Sequence, residues 1–299
     1  MKIVVFLLIL LWGGESFVWA QEVKVHTLAN QLIMPNRIIA DKSFLYISNV
    51  ANNTSNTIKR GNAFISKVSK TGVLIESHFI KNLDYPQGMV VLNNILYVMD
   101  SDRIKGFNLR TKKQVFNLQI NGESHLNDII YGGANTLFVS GRTTGVIFVV
   151  DLKRKSYSTF VVIPFSLCSP YRLAYYGTNL YVITSCRQEQ ARILQIDIHR
   201  KNITHLSSLS GKFSDIAVTD KGEIFVSKRE DKVAQHVEEE SVNVRNILYK
   251  ITPEGRVFEI YLEKEIRNFS DFLIDSQTLW FLDSENAHLL QIVFPKTAV

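Results

Sequence analysis

One short pattern recurs six times along this chain, at intervals of roughly forty to fifty-five residues, and that repetition limits the fold more than any other feature. Each copy opens with a four-residue strand start: Arg37-Ile38-Ile39-Ala40, Gly88-Met89-Val90-Val91, Asp128-Ile129-Ile130-Tyr131, Arg172-Leu173-Ala174-Tyr175, Asp215-Ile216-Ala217-Val218 and Asp271-Phe272-Leu273-Ile274. A tight turn follows each: Asp41-Lys42-Ser43, Asn93-Asn94, Gly132 to Asn135, Gly177-Thr178-Asn179, Asp220-Lys221-Gly222 and Asp275-Ser276-Gln277. Such residues supply the positive φ or the side-chain-to-backbone bonds that hairpins need.

A second strand comes next, apolar, aromatic and β-branched in all six copies: Leu45-Tyr46-Ile47, Leu96-Tyr97-Val98, Leu137-Phe138-Val139, Leu180-Tyr181-Val182, Ile224-Phe225-Val226 and Leu279-Trp280-Phe281. Strands of that kind are buried on both faces. Third strands alternate at Phe64 to Val68, Ile104 to Leu109, Val146 to Leu152, Ile193 to Ile198, Ile247 to Ile251 and Leu289 to Phe294, and most copies turn into a fourth, outer strand. The pattern predicts an all-β fold, a six-bladed β-propeller of four-stranded antiparallel blades. The sixth copy lacks a fourth strand, while Glu22 to Leu28 form an unassigned strand-like segment. The N-terminal strand is therefore expected to complete the last blade and close the ring, removing exposed sheet edges.

The first twenty residues read as a signal peptide: Lys2, an apolar run from Ile3 to Trp12, and Val18-Trp19-Ala20 before the cut. Ten strongly apolar residues are too few to cross a bilayer of roughly 30 Å as a helix. Residues 21–299 are then a single domain, a periplasmic or secreted monomer with no membrane anchor after cleavage. At 46% hydrophobic and 11% aromatic residues it can bury a substantial core. The formal charge of +6 is spread along the chain rather than clustered, which argues against nucleic acid as a partner. Asn-x-Ser/Thr triplets at Asn52, Asn53, Asn202 and Asn268 are glycan acceptors only in a eukaryotic secretory route.

Within a blade, the loop from second to third strand and the link to the next blade share one face, and that face receives the long insertions, Val50 to Asn62, Glu230 to Arg245 and, shorter, Gln188 to Ala191. Loops on rigid scaffolds carry function, so this mouth is the candidate for ligand contact. Asp100, Asp102, Arg142, Arg187, Lys228, Arg229 and Asp283 follow the second strands there. Arg142, Arg187 and Arg229, together with Arg172, are the candidate ligand-binding residues, since convergent guanidinium groups suit a carboxylate or phosphate. The competing reading has the mouth arginines pairing with Asp128, Asp215 and Asp271 to stitch neighbouring blades. Cys168 and Cys186 fall at the same end of one blade, and an oxidising compartment favours a disulfide between them. His125 alone among the seven His sits at the predicted mouth, where a hydrogen-bonded structural role is the commoner outcome. No P-loop, nucleophile elbow, zincin or EF-hand motif is present.

The blades, particularly Phe213 to Val226 and Leu96 to Ile104, resemble those of NHL-type and SMP-30/gluconolactonase-like six-bladed propellers. Members of the latter branch hydrolyse lactones around a divalent metal, usually calcium, held in the central channel by carboxylate and Asn side chains. The resemblance maps the Asn of a Pro-Asn-Gly-like element onto Asn36 or Asn127. The slot for the Asp of a Pro-Asp-Gly-like element holds Ser214, with Asp215 one residue late, and Met34-Pro35-Asn36-Arg37 stands where the family has a first-blade Glu. One residue along a strand reverses a side chain. The oxygen-ligand set this leaves for Ca2+ or another divalent metal is Asn127, Asp128, Asp215 and Asp271. Two functions follow: a noncatalytic propeller holding a protein partner or small anionic ligand on its long-loop face, which is favoured, or a metal-dependent hydrolase of lactones or related esters.

Overall fold

The computed structural model describes residues 23–30, 32–50, 60–186, 190–232, 243–263, 266, 269–275 and 277–294. After β1 (Val25–Ala29), the strands β2 (Pro35–Ala40), β3 (Phe44–Asn49), β4 (Ala63–Ser69) and β5 (Leu74–Leu83) pair in that order as one antiparallel sheet. The unit repeats in β6 (Pro86–Leu92), β7 (Ile95–Asp100), β8 (Arg103–Asn108) and β9 (Gln114–Gln119). It repeats again in β10 (Leu126–Gly133), β11 (Thr136–Gly141), β12 (Val146–Asp151) and β13 (Ser156–Val162). The molecule is an all-β propeller whose blades are four-stranded antiparallel sheets.

Between these units and the last lies a seven-stranded sheet: β14 (Ser169–Tyr176), β15 (Asn179–Ser185), β16 (Ala191–Asp197), β17 (Ile203–Val218), β18 (Ile224–Lys232), β19 (Asn243–Ile251) and β20 (Val257–Ile260). Its middle strand, β17, is sixteen residues long. The first part lies against β16, from Ile203↔Ile196 to Gly211↔Ala191, and the rest against β18, from Lys212↔Arg229 to Val218↔Ile224. One strand thus serves as the outer edge of one four-strand set and the inner edge of the next.

The final sheet is β21 (Phe269–Asp275), β22 (Thr278–Asp283) and β23 (His288–Val293), with β1 as its fourth strand through Val25↔Ile292, His26↔Gln291 and Thr27↔Leu290. The N-terminal segment does complete the last blade. Its strand begins at Val25, Glu22 lies outside the described residues, and Val23 forms an isolated parallel bridge to Leu262.

The second strands are buried as expected because both faces meet neighbouring sheets: Leu45, Ile47, Leu96, Val98, Leu137, Leu180, Val182, Leu279 and Phe281 are fully enclosed. Their side chains fill apolar clusters that bridge consecutive sheets; one joins Tyr46 and Ile65 to Leu96 and Phe107, another Phe225 and Leu248 to Phe281 and Leu290. Truncating one of these side chains to Ala costs about 2–5 kcal/mol.

The insertion at Glu230 to Arg245 begins as strand rather than loop: β18 and β19 continue their ladder through Glu230↔Arg245, Asp231↔Val244 and Lys232↔Asn243. Residues 233–242 between them, and 51–59 of the first insertion, lie outside the described residues. Cys168 and Cys186 form a disulfide, with Cα atoms 5.1 Å apart. Among the described residues no helix is long and apolar enough to cross a membrane.

Candidate functional site at the propeller axis

The six residues that open the six repeats meet at the axis, because each begins the exposed edge of an inner strand. Arg37, Arg172, Asp215 and Asp271 are 4%, 1%, 4% and 6% exposed, and Asp128 lines the cavity beside them. The sixth position is Gly88. A Cβ there would stand 2.5 Å from Asp128 Oδ1 and 2.7 Å from its Cα, so only glycine lets these two inner strands approach this closely.

Two guanidinium groups and three carboxylates meet in a hub, with Arg37 and Arg172 at ion-pair distance from Asp271 and Asp215. Arg172 Nη1 lies 2.9 Å from Asp271 Oδ1 and its Nε 3.6 Å from Asp215 Oδ1. It also donates from Nε to the Ser214 carbonyl and from Nη2 to the Ser270 carbonyl, both at 2.9 Å. Arg37 approaches Asp271 at 3.6 Å and donates to Gln87 Oε1 at 2.8 Å. Each carboxylate also accepts a backbone N–H from the next inner strand: Asp128 from Leu173 at 2.8 Å, Asp215 from Phe272 at 2.7 Å and Asp271 from Ile38 at 2.7 Å. Inner strands are sheet edges, so these N–H groups have no ladder partner and the aspartates satisfy them. The hub is a ring of blade-to-blade staples.

Burial, and for Asp215 also the neighbouring Asp271 and Asp128, disfavours the charged carboxylates. Asp128 is pushed up to about 7 and Asp271 to about 6, while Asp215 is raised well above the usual carboxylate range. Asp215 shares a hydrogen bond with Asp271, and Arg172 holds Asp271 at ion-pair distance, so the proton of that pair belongs on Asp215. Burial opposes the charge on Arg37, but Asp271, Tyr171, Asp128 and Asp215 outweigh it and raise its pKa.

Above the hub, toward the mouth, lies the Tyr171 ring, with the guanidinium carbons of Arg172, Arg142 and Arg37 at 5.1, 5.7 and 6.0 Å from its centroid. Arg142 is exposed, and its Nη2 reaches Ser185 Oγ at 3.4 Å. Its backbone is fixed from below. Glu123 is buried and accepts hydrogen bonds from the N–H groups of His125, Thr143 and Thr144 and from Thr144 Oγ1. Burial alone would raise the Glu123 carboxyl, yet these bonds hold it below its ordinary value. Gly141 makes room for it, since a Cβ there would sit 2.5 Å from Glu123 Oε2.

The candidate residues divide between these two layers. Arg172 lies in the hub, Arg142 above Tyr171, and Arg229 is exposed on β18 in register with Lys212. Arg187 lies outside the described residues. Asp215 and Asp271 are paired by Arg37 and Arg172 rather than by mouth arginines, and Asp128 is held by the N–H groups of Leu173 and Ile129. Arg37 was legible only as the occupant of a repeat position that other copies fill with charge. Asn127 turns away from the axis, its amide donating to the Tyr171 carbonyl at 2.6 Å. A divalent ion at the axis would need carboxylate lone pairs that already face guanidinium and backbone N–H groups, and would stand against two buried positive charges. The residues present do not fit it, and no metal-binding group of three His, Cys, Asp or Glu side chains forms among the described residues. Other mouth residues have structural partners: Asp100 binds Lys105 at 2.6 Å and the N–H groups of Asp84 and Tyr85, Asp283 bonds Asn286, and His125 contacts Ser124 and Thr143.

No protein-family model matches the sequence, and no curated protein matches it. Solved structures do resemble the fold. Hydrazine synthase of Kuenenia stuttgartiensis superposes with a TM-score of 0.64 at 18% identity, over 95% of this chain and 82% of that one. A provisionally assigned gluconolactonase gives 0.65 at 15% identity, over 91% and 92%. Virginiamycin B lyase from Staphylococcus aureus, in an inactive form with quinupristin, gives 0.58 at 16%, over 92% and 100%. The shared property is the propeller. At such identities the likeness extends to fold and not to activity.

Proposed function

We propose that this chain is a six-bladed, noncatalytic binding propeller that works outside the reducing cytoplasm and holds a small anionic ligand at its long-loop mouth. The seven-stranded sheet counts as two blades sharing β17, which gives one inner strand for each of the six repeats. The Cys168–Cys186 disulfide supports an exported location.

The observation that carries the reading is Arg142. It is an exposed guanidinium over the Tyr171 ring, 5.7 Å from its centroid, on a loop fixed by Glu123, with the hub carboxylates already engaged by other cations and backbone donors. A planar fork of donors held in this way recognises a carboxylate or phosphate. Calorimetric titration with citrate and with inorganic phosphate tests it. Saturable binding of at least one, weakened about tenfold or more in Arg142→Ala, is expected, equal to a loss of about 1.4 kcal/mol. Unchanged affinity in the variant, or no binding of either anion, would overturn the assignment. Calcium-dependent thermal stabilisation with chelator-sensitive lactone hydrolysis would put the metal-dependent hydrolase in its place.

A further inference from the structure

Along the six inner strands, beyond the hub, the axis opens into a cavity of about 280 Å³. Two residues past each hub position stands one side chain of its wall: Ile39, Val90, Ile130, Ala174, Ala217 and Leu273, all apolar. The two alanines come from consecutive repeats, which leaves room on that side. At the hub end the charges balance. Asp215 and Asp271 share a hydrogen bond, which requires one proton between them, so Arg37 and Arg172 face two net negative charges. An ion of either sign would enter this low-dielectric site uncompensated.

The hydrogen bonds of the hub follow one rule, and two strands escape it. Each inner strand pairs on one side only, so the N–H one residue past the hub position faces the axis without a ladder partner. Asp271, Asp215 and Asp128 reach across to the next repeat and accept the N–H groups of Ile38, Phe272 and Leu173. Gly88 has no side chain to do the same for Ile129, whose N–H goes to Asp128 of its own strand at 3.0 Å. Arg37 and Arg172 carry no acceptor atoms. The N–H groups next after them in the ring, those of Met89 and Ile216, therefore meet no acceptor side chain among the described residues, although both residues hold the same register as Ile38. Met89 alone has Asp128 beside it. With no Cβ at Gly88, Asp128 Oδ1 packs against that backbone, 2.5 Å from where the Cβ would stand. Asp128 is the half-buried member of the three carboxylates, and each of its oxygens accepts one N–H, short of its capacity. A donor without an acceptor, next to an acceptor with a lone pair to spare, is completed by one hydroxyl group.

We propose that this cavity binds a small neutral alcohol, whose hydroxyl accepts from the Met89 N–H and donates to Asp128 and whose hydrocarbon body lies against Val90, Ile130, Ala174 and Ala217. An ammonium group offers Met89 no acceptor and adds positive charge beside Arg37. A carboxylate offers Asp128 no donor and repeats its charge. The volume, near the lower limit for ligand pockets, restricts the body to about the size of one aromatic ring. The site is separate from Arg142 and takes an uncharged ligand where the mouth takes an anion.

Titration of the full chain at pH 8, where Asp128 and Asp271 are ionised, tests this with three probes of one shape: benzyl alcohol, toluene and benzylammonium, each followed by protein NMR shifts. Saturable one-site binding of benzyl alcohol is expected. It should be at least as tight as that of toluene, although the bare hydrocarbon leaves water more readily, and about tenfold or more tighter than that of benzylammonium. Asp128→Asn is expected to weaken the alcohol about fivefold or more and to leave toluene unchanged. Ala217→Leu, which fills the wall and leaves every charge in place, is expected to weaken both about tenfold or more. Absence of saturable alcohol binding overturns the proposal, as does tighter binding of toluene, equal binding of benzylammonium or unchanged alcohol affinity in Asp128→Asn. Should Asp128→Asn fail to fold, Ala217→Leu decides alone: retained alcohol affinity there rejects the cavity as the site.

Discussion

Asp128 shows how one side chain can be readable in kind and unreadable in role. Its place at the head of the third repeat was evident from alignment with Asp215 and Asp271, whereas its convergence with them was an open alternative to convergence of the arginines. Whether such carboxylates hold a ligand or each other's blades depends on which cations reach the axis. Arg37 and Arg172 get there from repeats far apart in the chain. The hub also makes stability depend on pH with a definite sign. Asp128 near 7 and Asp271 near 6 lie above the roughly 3.9 of an unfolded aspartate, so the folded state binds their protons more tightly. The stability this adds is fully present below about pH 4 and is lost as pH rises through 6 to 7. Urea unfolding free energy is therefore expected to fall between pH 5 and pH 8, and Asp128→Asn is expected to reduce that slope. An identical slope in the variant would remove Asp128 as its source. The variant itself costs about 1 kcal/mol at low pH, since an amide oxygen replaces only one of two acceptors.

At the level of strands, the repeat was legible because burial on both faces dictates composition: the second strands read as apolar and aromatic, and the enclosed Leu45, Leu96, Leu137 and Leu279 show why. Boundaries were less visible where an element serves two partners. β17 continues through Gly211, at φ 139°, from one pairing to the next, and no turn residues mark the change because the chain makes no reversal there. The β18–β19 ladder hid in its insertion for a similar reason, since polar residues such as Glu230, Asp231 and Lys232 carry no apolar signal when paired beyond the core. The closing strand was visible by elimination, and it permits a sharp test. Deleting residues 21–29 removes the partner of β23 and bares its edge. The truncated protein is expected to melt well below the full chain and to form oligomers on size exclusion; a monomer with the full-length melting temperature would show that the pairing contributes nothing.

For the molecule as a whole, the two ties at the mouth and at the closure differ in reach. The disulfide joins Cys168 to Cys186, eighteen residues apart, at one end of β14 and β15. Paired Cys168→Ser and Cys186→Ser substitutions should cost roughly 3 kcal/mol in the chain-entropy model, lowering the melting temperature by about 5–10 °C. They should leave the oligomeric state unchanged, because no sheet edge is uncovered; new association on size exclusion would contradict that separation of roles. Closure by β1 is of another kind. Val25 meets Ile292 far along the chain, so β1, made before the other described strands, waits for β23 before it can pair. Contacts this distant in sequence form late and slowly. In the interval β23 offers an open edge, and the interval's length, more than the native free energy, sets how much chain is lost to aggregation.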